Sequence, residues 1–82
     1  RQYEAALVRF RKAVELAPNS AALHAEVARG ELALGRLDPA RAAAEQALKL
    51  QPSNTAAVAI LTTLDLRTGK ADIALSRIDA LA

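Results

Sequence analysis

Gly35-Arg36-Leu37-Asp38-Pro39-Ala40 returns as Gly69-Lys70-Ala71-Asp72-Ile73-Ala74, each residue 34 positions further on, with Gly, Asp and Ala unchanged. Pro18 and Pro52 keep the same interval. Glycine, proline and a capping aspartate are the residues that start and stop helices, and each does so for a backbone reason. Their recurrence at one period identifies a repeated supersecondary unit. Further identities at this shift (Ala6/Ala40, Ala13/Ala47, Leu16/Leu50, Ala22/Ala56, Ala25/Ala59, Leu32/Leu66) weigh less, because alanine is so common in the chain.

The stretches between these markers carry helical periodicity. Tyr3 to Ala17 places Leu7, Phe10 and Val14 on one face with Ala6, Ala13 and Ala17, and Pro18 ends it by forcing its predecessor out of the α region. Asn19 and Ser20 can cap a second helix over Ala21 to Leu34, and Gly35 closes it in a left-handed conformation. Asp38 is expected to cap a third helix that runs to about Leu50, with Pro39 in its first turn. Glu45 and Lys49 can pair on its exposed side. Ser53, Asn54 and Thr55 then offer a cap for a fourth helix over Ala56 to Thr68, and Gly69 stops it. Asp72 is expected to cap a fifth helix, through Ala82, with Leu75, Ile78 and Leu81 as its apolar stripe. The pattern predicts an all-α array of five helices. Residues 1–18 form the second helix of a truncated repeat, 19–52 a complete repeat and 53–82 a nearly complete one.

An 82-residue chain makes one small domain or a piece of a larger array. The half-repeat at its start places the missing partner helix upstream of Arg1, so a longer parent protein is expected. Hydrophobic residues make up 52%, much of it alanine, with one Phe, one Tyr and no Trp, so the core must come from close helix contact. A net charge of +2, from 11 basic and 9 acidic residues in mixed order, argues against a nucleic-acid footprint. The chain has no cysteine, hence no disulfide and no cysteine metal site. It has no apolar run of membrane-spanning length, so no direct membrane insertion is expected of this segment.

The residues that punctuate and pack these helices resemble the tetratricopeptide repeat family. Leu37-Asp38-Pro39-Ala40 with Ala44, Ala47, Leu48, Leu50 and Pro52 is similar to the second half of its consensus. Tyr3-Glu4-Ala5-Ala6 followed by Phe10, Ala13, Val14, Leu16 and Pro18-Asn19-Ser20 is similar again. The resemblance covers essentially the whole chain. It departs where the family usually has Trp, here His24 and Val58, and where it usually has Tyr, here Glu31 and Asp65; Gly30 stands mid-helix. The resemblance implies a right-handed superhelix of antiparallel helix pairs. Ala28, Ala40 and Ala47, with Ala6, Ala13 and Ala74 as their counterparts, would stand at the closest helix approaches.

It also implies a function. In this family the first helix of each pair lines a concave groove that takes a peptide or helix of a partner protein. Carried over, the groove comprises Ala22, Ala25, Glu26, Arg29, Leu32 and Ala33, then Ala56, Ala59, Ile60, Thr63, Leu66 and Arg67. Glu26, Arg29, Leu32, Ile60, Thr63 and Arg67 are the candidate contact residues, and the arginines can grip a carboxylate at two points. The set of Lys and Asn with which some members hold chaperone C-termini is replaced by Ala25, Arg29, Ala56 and Ile60.

A structural role is the alternative. The chain would then be a spacer or self-association segment of a multi-repeat bacterial envelope or export protein, joined through Leu7, Phe10 and Val14 at one end and Leu75, Ile78 and Leu81 at the other. The Ala-, Leu- and Arg-rich composition suggests a GC-rich bacterial source, with cytoplasm or periplasm as the compartment. An enzyme is not expected. His24 is the only histidine, so no His pair can hold zinc, and its neighbours Ser20 and Glu26 make no more than a sequence proximity. Glu31 and Asp65, again 34 apart, are expected to meet arginine side chains or solvent at a helix edge. Neither cofactor nor metal is expected.

Overall fold

The computed structural model describes residues 2–81, which form five helices: α1 (Gln2–Leu16), α2 (Ala21–Ala33), α3 (Leu37–Leu50), α4 (Thr55–Arg67) and α5 (Ala71–Leu81). Among the described residues there is no strand. Ala82, expected as the last residue of the fifth helix, and the side chains of Ala74 and Leu81 lie outside the described set.

The connections repeat atom for atom. Before α2 the Ser20 amide donates to the Ala17 carbonyl at 3.2 Å; before α4 the Asn54 amide donates to that of Gln51 at 3.0 Å. Each of these residues then caps the helix it precedes. Ser20 Oγ accepts from the Leu23 amide at 3.3 Å, and Asn54 Oδ1 accepts from the Ala57 amide at 2.8 Å. At the other ends Gly35 and Gly69 both have φ of 77°, a region that strains any residue bearing a Cβ. There the Arg36 amide donates to the Glu31 carbonyl at 2.9 Å and the Lys70 amide to the Asp65 carbonyl at 2.6 Å. Inside those bonds Gly35 reaches Leu32 at 3.0 Å and Gly69 reaches Leu66 at 3.3 Å. This paired arrangement satisfies two carbonyls that a helix end leaves open.

The same arrangement corrects one expectation. Asp38 does not cap α3. The reversal after Gly35 is complete at Arg36, which holds the cap position without a side-chain bond, and the helix begins at Leu37. Asp38 therefore stands inside the first turn, as Asp72 does in α5. In that place a carboxylate acts on the helix dipole, not on a single amide.

Each helix packs against the next in sequence, and α2 also packs against α4. Among the described residues α1 and α5 do not meet, and the molecule measures 34 × 25 × 15 Å. The core lies between α2, α3 and α4. Ala28, Ala40, Ala44, Ala47 and Ala57 are wholly buried, joined by Ala25 and by Ile60, Leu61 and Leu64 from α4. Methyl groups let the backbones approach closely, and the three large aliphatic side chains supply most of the apolar volume.

Leu7 takes a separate place. It is buried against α2 at Gly30, where a Cβ would stand 3.2 Å from Leu7 Cδ1. The missing side chain of a mid-helix glycine is thus the space into which α1 sinks its leucine.

Candidate protein-binding face

Helices α2 and α4 lie side by side, and each turns one stripe outward. On α2 it carries Ala22, Glu26, Arg29 and Ala33; on α4 it carries Ala59, Thr63, Leu66 and Arg67. These positions recur at the three- and four-residue spacing of one helix face. Arg29, Leu66 and Arg67 are exposed, Leu66 at 58%, while Glu26, Leu32 and Thr63 are partly buried. Arg29 Nη1 stands 3.1 Å from Glu26 Oε1 in a solvent-exposed pair. Such pairs contribute little on their own and yield readily to a competing carboxylate. The Thr63 hydroxyl donates to the Ala59 carbonyl at 2.9 Å, so it is turned back along its own helix.

Four expected groove residues are not on these outward stripes: Leu32 and Ala56 are partly buried and packed against the core, and the other two, Ile60 and Ala25, are buried. Ile60 and Ala25 belong to the core cluster that α2, α3 and α4 form together. The available face is narrower and more polar than the sequence suggests.

The end faces also differ from expectation. Leu7 is not uncovered, for the reason given by Gly30, and Phe10 and Val14 are partly covered. The exposed apolar side chains of α1 are Tyr3, Val8 and Leu16. On α5, Leu75 is 59% and Ile78 48% exposed.

Glu31 and Asp65 do meet arginines, but they are buried, each only 1% exposed. Glu31 accepts from Arg11 of α1 and, at 3.3 Å, from Arg36 Nη1 in the loop before α3. Asp65 accepts from Arg41 Nη2 of α3 at 2.9 Å and from Arg77 of α5. Burial pushes the Asp65 carboxyl up. The hydrogen bonds from Arg77 and Arg41, together with their charges, outweigh burial and hold it below its usual 3.8. Each acid is thus a brace linking its own helix to neighbouring elements. The acids recur at the repeat period, whereas their arginines stand at unrelated positions, which is why periodicity exposes only half of each cluster.

His24 Nε2 lies 2.8 Å from the Pro18 carbonyl. A carbonyl can only accept, so Nε2 carries the proton and the ring steadies the turn before α2. No group of three His, Cys, Asp or Glu side chains among the described residues is placed to hold a metal, and none of the described helices is long and apolar enough to cross a membrane. Compared with protein-family models and with curated proteins, the chain gives no match.

Proposed function

We propose that the chain is built of tetratricopeptide-type repeats, a right-handed superhelix of helix pairs, and that it serves as a protein-interaction module. The partner's peptide or helix lies along the outward stripes of α2 and α4. One observation carries this reading: the two helices are adjacent, and both present an exposed arginine among apolar side chains, Arg29 with Ala22 and Ala33 and Arg67 beside Leu66. Such a surface suits a segment with carboxylates spaced among aliphatic residues. The identical turn geometry 34 residues apart supports the solenoid part of the reading. No chemistry is assigned to the module itself.

Selection of a random peptide library on the immobilised chain tests the proposal. Enriched peptides should be acidic and apolar, and their binding should fall at least tenfold in Arg29→Glu/Arg67→Glu while the thermal melt stays unchanged. Peptides that bind the double variant as well as the parent would exclude this face.

Leu75 and Ile78, exposed together on α5, favour self-association as the second reading. Sedimentation should then reveal a concentration-dependent dimer that Ile78→Asp removes. A monomer at every concentration would eliminate it.

A further inference from the structure

Helix α5 turns aliphatic side chains outward and an arginine inward. Ile73, Leu75 and Ile78 are exposed. Among the described side chains of α5, Arg77 alone is not exposed, and it donates to the buried carboxylate of Asp65 on α4. Helix α1 provides the contrast. It sinks Leu7 into the space beside Gly30 and partly buries Ala6, Phe10, Ala13 and Val14.

The repeat shows why α5 sits less deeply. Helix α5 is the counterpart of α3, and α4 that of α2. In the α2–α3 pair, Ala28 and Ala44 are wholly buried. Their counterparts 34 positions on are Thr62 and Ile78. Both are larger than alanine, so α5 cannot approach α4 as α3 approaches α2. Ile78 is accordingly 48% exposed where Ala44 is fully covered. Thr62 lies four residues after Val58 and three before Asp65, on the face of α4 from which Asp65 meets α5. Its hydroxyl is buried with no hydrogen-bond partner among the described residues, a penalty that ends once water reaches it.

We propose that α5 is a releasable strap, closed on α4 by the Arg77–Asp65 bond and able to open as a unit while α1 to α4 stay folded. Opening uncovers the face of α4 that carries Val58, Thr62 and Asp65. Arg77 holds Oδ2 of Asp65 and Arg41 of α3 holds Oδ1, so the carboxylate keeps a charged partner when α5 leaves. The open form therefore avoids the isolated buried charge that makes breaking such clusters costly. Helix α1 has no such freedom, since its departure would expose Leu7 to water.

Amide hydrogen exchange on the whole chain, at a concentration where it sediments as a monomer, tests the strap. Amides from Leu75 to Ala80 should exchange about tenfold faster than those from Phe10 to Leu16 in α1. Arg77→Met should speed α5 by about a further fivefold and leave α1, α2 and α3 unchanged. Thr62→Ala/Ile78→Ala, which restores the small residues of the first pair, should slow α5 about fivefold. That double variant keeps the test decisive even where Arg77→Met fails to fold. Exchange of α5 at the rate of α1, acceleration of all five helices alike in Arg77→Met, or no slowing in Thr62→Ala/Ile78→Ala would each overturn the proposal.

Discussion

At the scale of single residues, the chain is held by a few buried polar groups set among alanines. Asp65 is the most consequential. Removing one partner of a buried ion pair typically costs about 3–5 kcal/mol, because the remaining charge is left uncompensated. Arg41 and Arg77 keep some contact with water, at 27% and 22% side-chain exposure, so Asp65→Ala should cost about 3 kcal/mol, near the lower end. The same carboxylate sets an acid limit. Its folded pKa lies below 3.8, so on acidification the unfolded chain takes up the proton first. Its contribution is complete above 3.8 and is lost as pH falls through the lower folded value. The melting temperature of the parent should therefore drop more steeply below pH 3.8 than that of Asp65→Asn; parallel curves would contradict the assignment. Thr62 offers the opposite case, since its buried hydroxyl has no hydrogen-bond partner. Thr62→Val should stabilise by about 1 kcal/mol in denaturant titration, and a loss would mean that the hydroxyl is satisfied in solution.

At the scale of elements, the turns and the close helix contacts decide the arrangement. Gly35 and Gly69 have open space where a Cβ would sit, so replacing either with alanine adds backbone strain alone. Each change should cost about 1 kcal/mol. Ala40 is wholly buried in the core, and Ala40→Leu should force the helices apart at a cost of about 1–3 kcal/mol. A melt equal to the parent's would show that α3 has room that the packing denies.

The five helices and the glycine and proline stops were legible because each marker acts through its own backbone. Asp38 misled for a related reason. Its spacing from Gly35 leaves the cap open to either residue, and only the tight reversal through Arg36 decides where α3 starts. Glu31 and Asp65 gave an incomplete signal. Their recurrence shows in the sequence, but burial and the choice of arginines depend on how α1, α3 and α5 approach them.

At the scale of the molecule, α2 packs against α1, α3 and α4, and the stripe it turns outward beside α4 carries the proposed binding face. The family resemblance, carried over residue by residue, placed Arg29 and Arg67 on that surface, and both are exposed. The burial of Ile60 was not legible, since helical phase alone cannot tell which edge of a stripe the neighbouring helix covers. Adding a library-selected peptide to the labelled chain and mapping amide shifts tests the central claim most directly. The account predicts perturbations concentrated at Glu26, Arg29, Thr63 and Arg67. Perturbations gathered instead on α5 around Leu75 and Ile78, with the α2 and α4 stripes silent, would contradict it.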